Sequence, residues 1–330
     1  MAKRFRDRVI GLRCPRNTRN KQKLRKFYFG VFRVFRGQPR AVIREFSLAQ
    51  EWELRDCKSP VAAPKSLLID FAHLTVFLGD RPVLRDLTLQ VKRGEHLVIL
   101  GANGSGKSTL IKTIFRELYP VTDTPGFRFN ILGRERWDVS ALLKKFGVVS
   151  PDLLGRISHA VTTRRVTARE FVLSGFFSSI GLWPHHKVTA AQEKRARAVM
   201  KFLSIGHLAD RPHFAMSAGE QRRALIGRAL VHDPEALILD EPTNNLDPGA
   251  MREFHTVVRK LIKSGKSLVL VTHHVTDIQP GMERVLLMKN GRIVADGPTK
   301  KILTSATLSQ LFGKKLRLIK QRQGYELVSG

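Results

Sequence analysis

Residues 96–110 read "HLVIL GANGSGKSTL" and constrain the fold more than any other stretch of the chain. "HLVIL" is a continuous apolar run, as a parallel strand buried on both faces requires. "KSTLIKTIFREL" (107–118) follows as a helix. Between and into them, Gly101 to Thr109 match GxxxxGK[ST], with Asn103, Gly104, Ser105 and Gly106 forming the turn. Small residues let consecutive backbone N–H groups face one anion, and the helix behind adds the positive end of its dipole. Lys107 then reaches the outer phosphates of a nucleotide, and Ser108 offers a hydroxyl to Mg²⁺. The strand before and the helix after supply the context this loop needs, which is an α/β core.

A carboxylate pair stands on a second apolar run. "ALILDEPTNNLD" (236–247) sets Asp240 and Glu241 at a strand end. Asp240 suits the surroundings of Mg²⁺, and Glu241, one residue on, is placed to polarise a water for attack on the γ-phosphate. "MSAGEQRRALIGRAL" (216–230) opens a helix with the small turn Ser217-Ala218-Gly219. A helix N-terminus with a hydroxyl is another phosphate site. One nucleotide does not need two such sites from one chain, so this turn is expected to cap the ATP of another subunit.

The remaining pattern is regular from Leu67 onward. Strands are expected at 67–78, 86–91, 127–132, 146–150 and 267–272. Residues 165–231 read as mainly helical, including "TAAQEKRARAVMKFL" (189–203), and a helix is expected over 248–262. "RVLLMKNGRIVADG" (284–297) reads as a hairpin with an Asn-Gly turn. The expected domains are a basic N-terminal extension over 1–65, a nucleotide-binding domain over 66–320 with a helical insert at about 150–230, and a tail at 321–330.

Charge sets the extension apart. Residues 1–65 hold 18 Lys/Arg against 5 Asp/Glu, within a chain of net charge +30. The segment lacks a secretory apolar stretch. It reads first as a disordered basic tail. An upstream stretch joined by a misplaced start codon, and a transit peptide or nucleic-acid arm, are the other two readings. The body carries the rest of the positive charge, a field that attracts polyanions. Both cysteines, Cys14 and Cys57, fall in the extension, so the body is expected to hold neither a disulfide nor a cysteine metal site. No run approaches the ~18 apolar residues of a membrane span.

Taken in order along the chain, these motifs resemble those of the ATP-binding cassette (ABC) ATPases, over about residues 67–320. In that resemblance Phe77 stacks on adenine and Gly101–Thr109 is Walker A. "MSAGE" with Ser217, Gly219 and Glu220 is the signature. Asp240 and Glu241 are the Walker B aspartate and catalytic glutamate, "NNLD" (244–247) is the D-loop, and His273 is the switch histidine. The resemblance implies an α/β fold of P-loop type with a small antiparallel β part and a helical subdomain. It implies ATP and Mg²⁺ as ligands, and a head-to-tail dimer, of this chain or with a second ABC subunit, closing over two ATPs. Three departures stand out: Ala218 and Glu220 in the signature, Phe77 for the usual tyrosine, and Pro151 in "VSPDLLGR" (149–156) where the family has a glutamine. That segment and "VLSGFFSSIGLW" (172–183) are similar to a subgroup labelled molybdenum-transport-like or photorepair.

The leading functional expectation is the ATP-hydrolysing subunit of a transporter whose permease is a separate chain, cytoplasmic and peripheral at the inner face of the membrane. The alternatives are a soluble ATPase acting on nucleic acid or ribosomes, which the basic body and Pro151 suit, and an ATP-gated scaffold. His185 and His186 read as loop histidines, since no third metal ligand stands at suitable spacing.

Overall fold

The computed structural model describes residues 67–150, 165–321 and 324–330. The expected extension over 1–65 and the segment with Pro151 and Asp152 lie outside these described residues.

Two sheets frame the nucleotide loop. Strand β1 (Leu67–Leu78) pairs antiparallel with β2 (Arg81–Lys92) on one side and with β4 (Arg128–Ile131) on the other. In β2, Leu87, Leu89 and Val91 are buried while Thr88, Gln90 and Lys92 are exposed, the alternation of a strand with one covered face. The strand starts earlier than the expected 86, because Arg81 and Pro82 already pair with Leu78 and Phe77 across the hairpin.

The second sheet has the order β5–β6–β7–β3–β8–β9, from Phe146–Val149, Ala236–Asp240, Ser267–Thr272, His96–Leu100, Arg284–Lys289 and Arg292–Pro298. Its first five strands run parallel, and β9 returns antiparallel from β8. Asn290 (φ 50) and Gly291 (φ 75) both adopt the left-handed region at that turn, as a type I′ hairpin demands.

Both faces of this sheet are buried, which explains the unbroken apolar runs. Leu97 and Ile99 of β3 point into a core shared with the antiparallel sheet and with helix α1 (Lys107–Ile114). Val98 and Leu100 point the other way, into a core closed by helices. Those include α3 (Ala168–Leu173), α4 (Ala190–Phe202), α5 (Ala218–Leu230) and α6 (Pro248–Lys263); α2 (Val139–Lys145) lies just before β5. α3, α4 and α5 each begin with a capping box, at Thr167/Glu170, Thr189/Gln192 and Ser217/Glu220. Among the described residues no helix is long and apolar enough to cross a membrane.

Two further boundaries differ from expectation. α1 stops at Ile114 rather than at 118, because Arg116 turns to φ 61 and the N–H groups of Glu117 and Leu118 both return to the Lys112 carbonyl. The expected tail at 321–330 is instead strand β11 (Gly324–Ser329), paired with β10 (Leu316–Gln321). Leu318, Tyr325 and Leu327 pack on the main core, so the hairpin belongs to the body. It follows α7 (Thr299–Ile302) and α8 (Ser305–Phe312).

Candidate functional site: a phosphate cradle at three strand ends

The strand order places three motif-bearing ends side by side. β3 leads into Gly101, β6 ends at Asp240 and β7 ends at Thr272, and β7 lies between the other two. A crevice outside the carboxyl ends of parallel strands is where such sheets bind ligands.

The loop after β3 is built for close approach. Gly101 N–H donates to the Thr272 carbonyl (3.3 Å), tying the loop to the end of β7. A Cβ at Gly101 would collide with the Ser105 hydroxyl and the Met288 carbonyl. Gly106, at φ 103, caps α1 without any side-chain hydrogen bond, and no acid lies in the first turn. That helix end therefore keeps its N–H groups and positive dipole available to an anion. The buried Ser105 hydroxyl has no hydrogen-bond partner among the described residues, which leaves it as another donor in the cradle. These features fit a nucleotide polyphosphate. Asn103, Gly104 and Ser108 are exposed on the same loop, while Lys107 and Thr109 are buried.

Lys107 bends back over the loop. Its Nζ donates to the carbonyls of Gly101 (2.8 Å) and Ala102 (3.1 Å) and lies 3.3 Å from Glu241 Oε1. Glu241 is 8% exposed and takes φ 46, and its N–H bonds the Val271 carbonyl at 2.8 Å. That bond extends the sheet pairing one residue past β6 and then turns the chain. The turn aims the carboxylate toward the cradle, and Oε2 lies 2.5 Å from His273 Nδ1. Lysine, glutamate and histidine thus form one chain of contacts across three strands. Asp240, 6% exposed, stands beside them at the end of β6. The carboxylate of Asp240 and the hydroxyl of Ser108 are hard oxygen donors, the class that Mg²⁺ takes.

Ser217, Gly219 and Glu220, expected to form the signature, occupy a different element. The Ser217 hydroxyl accepts from Glu220 N–H (3.3 Å), and the Glu220 carboxylate accepts from Ser217 N–H (2.7 Å). Burial works against ionising Glu220, but the bonds from Ser217 and the nearby Arg211 and Arg223 prevail and hold its carboxyl below the usual range. Gly219 packs against Ala250 at the start of α6, where a Cβ would fall 2.9 Å from the alanine Cβ. Arg222 Nη2 donates to the Asn244 carbonyl (3.3 Å) and Arg223 pairs with Glu253, so α5 is fixed to the 244–247 loop and to α6. Phe77 sits at the β1–β2 hairpin, 45% exposed, opposite Pro82. His186 stacks on Phe177 (4.2 Å) and its Nδ1 accepts from Trp183 N–H; the described residues hold no cluster of three metal-ligating side chains.

Sequence reasoning missed one junction. Gly291 N–H donates to the Ser105 carbonyl and Arg85 N–H to the Gly291 carbonyl, both at 2.9 Å. A Cβ at Gly291 would fall on the Val83 carbonyl, and one at Gly106 would meet the Leu84 side chain at 2.9 Å. The two glycines let the β8–β9 turn, strand β2 and the phosphate loop meet. Asn-Gly announces only the turn; its second task depends on contacts distant in sequence.

Comparison with known proteins agrees with this geometry. The family model described as "ABC transporter" matches residues 84–244. A putative ABC transporter ATP-binding protein of Streptococcus mutans is 34% identical over 76% of this chain and 94% of its own length. The ABC transporter ATP-binding protein ModF of Escherichia coli is 38% identical over 61% of this chain and 40% of its own length. A bacterial ABC transporter cassette solved as a dimer, MJ0796, superposes with TM-score 0.56 at 25% identity, covering 70% of this chain and 98% of that one. Motifs, sheet order and relatives agree, and the chain belongs to the ABC transporter ATP-binding proteins, P-loop ATPases that bind and hydrolyse ATP.

Proposed function

We propose that two copies of this chain, or this chain and a second ABC subunit, close head-to-tail over two ATPs and that hydrolysis reopens them. The observation that carries this is the contact chain Lys107–Glu241–His273, at 3.3 and 2.5 Å, beside an uncapped helix N-terminus. Lys107 releases the loop carbonyls and holds the outer phosphates. Ser108 and Asp240 would hold Mg²⁺, which when bound would offset the charge on the phosphate oxygens. Glu241 accepts a proton from the attacking water, and His273 orients that carboxylate and supports the γ-phosphate. Phe77 offers its ring to the adenine. Ser217, Gly219 and Glu220, on the N-terminus of α5, face the ATP of the opposite subunit.

The work of closure is delivered to a separate transmembrane permease, and the chain acts at the cytoplasmic face of that membrane. The relatives' naming as transporter ATP-binding proteins supports this reading and lends none to the nucleic-acid alternative. Complementation tests the shared site. Lys107→Ala and Ser217→Arg, each inactive alone, are mixed. One of the two sites in the mixed dimer then has both an intact phosphate loop and an intact signature, so ATPase activity returns. A mixture as inactive as its parents shows that the signature does not serve the opposite subunit's ATP.

A further inference from the structure

Asp277 lies in the single helical turn Val275–Asp277 that follows β7, and it is 1% exposed. Its Oδ2 accepts two hydrogen bonds, from Thr272 Oγ1 at 2.6 Å and from Thr243 Oγ1 at 2.8 Å. Its Oδ1 stands 3.2 Å from His255 Nε2 on α6. A carboxylate only accepts, so both hydroxyls must donate to it. The Thr272 hydroxyl is thereby oriented, and its lone pair accepts from His274 N–H at 3.0 Å. The relay His274 N–H, Thr272 hydroxyl, Asp277 carboxylate fixes the backbone on both sides of His273. Past the end of the neighbouring strand β6, Thr243 follows Glu241 by two residues in the turn and is held by the same oxygen. The anchor itself is braced: Gln279 bonds Arg259 of α6 at 2.6 Å, and Gly324 of β11 packs by the Thr276 and Ile278 carbonyls.

We propose that Asp277 is the positioning residue of the hydrolytic step, holding His273 and Glu241 at the separation their contact requires through Thr272 and Thr243. In this role it acts through the two threonines and not on the reacting atoms. The proposal rests on the catalytic reading of Glu241 and His273 given above. A buried hub serves both strand ends past the bond from Glu241 N–H to the Val271 carbonyl, where Glu241 turns the chain out of the sheet pairing. A misplacement of about 1 Å in a catalytic group costs on the order of 10²-fold.

The test uses the full chain, steady-state ATPase rates and binding of a fluorescent ATP analogue. Asp277→Leu removes both acceptors at similar volume. Its kcat is expected to fall about 10- to 100-fold while analogue affinity stays unchanged. Asp277→Asn keeps an oxygen for the two threonines and gives His255 an amide N–H, which the other imidazole tautomer accepts. It is expected to restore most of the rate. In the double variant with His273→Ala, Asp277→Leu should add no further loss, since both remove the same step. A purely structural role predicts instead an equal loss in both backgrounds together with weaker analogue binding, and that result overturns the proposal. Should Asp277→Leu fail to fold, Thr272→Val breaks the same relay and carries the same expectations. Full turnover in His273→Ala overturns the catalytic reading and this proposal with it. Full turnover in Asp277→Leu beside a slowed His273→Ala overturns the positioning role alone.

Discussion

Gly291→Ala perturbs the phosphate loop from a turn remote in sequence, and the structure gives its size. Gly291 has φ 75, a region that costs an L-residue roughly 1–2 kcal/mol. The new Cβ would also lie on the Val83 carbonyl, well inside contact distance. Relief requires the turn or β2 to move by about an ångström. If the turn moves, the bonds from Gly291 to Ser105 and from Arg85 to Gly291 weaken, each worth about 1 kcal/mol. If β2 moves, Leu84 shifts against Gly106. Both routes end in the loop proposed to cradle phosphate. The expected loss is about 3 kcal/mol in urea unfolding and about tenfold in ATP affinity, read by titration with a fluorescent analogue. Gly313→Ala is the control: it also has φ 69 but open space around its Cβ, so it should cost about 1 kcal/mol with ATP affinity unchanged. The junction is refuted if Gly291→Ala behaves like this control.

Three further outcomes follow from particular residues. His213 is 4% exposed against Phe171, and burial pushes its imidazole from 6.5 down to about 4. The unfolded chain takes up a proton below pH 6.5 that the folded chain refuses until near pH 4, so stability falls as pH drops through that window, by at most about 3 kcal/mol. His213→Leu should flatten that part of the Tm-versus-pH curve, and an unchanged slope contradicts the assignment. Phe77→Ala should weaken ATP binding by about 1 kcal/mol, roughly fivefold, while Phe77→Tyr restores it; equal affinity in all three removes Phe77 from the site. Deletion of residues 1–65 should leave ATPase rates at wild type, since every site residue named follows Leu67; a truncated chain that binds ATP but turns over slowly contradicts this.

Much of the site was legible because its chemistry is local in sequence. Gly101–Thr109 carries its strand, turn and helix in consecutive residues, and Asp240-Glu241 ends an apolar run that can only be a buried strand. The 3.3 Å contact of Lys107 with Glu241 then follows from strand order, which no local pattern supplies. Thr243, Thr272, His255 and Asp277 carried no signal at all. Threonines at strand ends and a lone aspartate are ordinary singly, and only the fold brings them onto one carboxylate. The C-terminal hairpin did carry a signal, the alternation of Leu316 and Leu318 with Tyr325 and Leu327. The charged residues around its turn mask so short a period, so the sequence pattern breaks at Gln321 while the pairing does not. Phe115 and Leu118 continue the apolar spacing of α1 one turn past its end, although Arg116 leaves the helix.

Glu241→Gln tests the central claim most directly. The amide keeps the size and the contacts of the carboxylate but cannot take a proton from water. Loss of a general base costs on the order of 10²–10⁴ in rate. ATPase turnover and molecular mass by light scattering, each with Mg-ATP, are measured on the purified variant. The account predicts turnover reduced to that extent, ATP affinity retained, and an ATP-dependent doubling of mass as the closed state accumulates. Wild-type turnover in Glu241→Gln would contradict it.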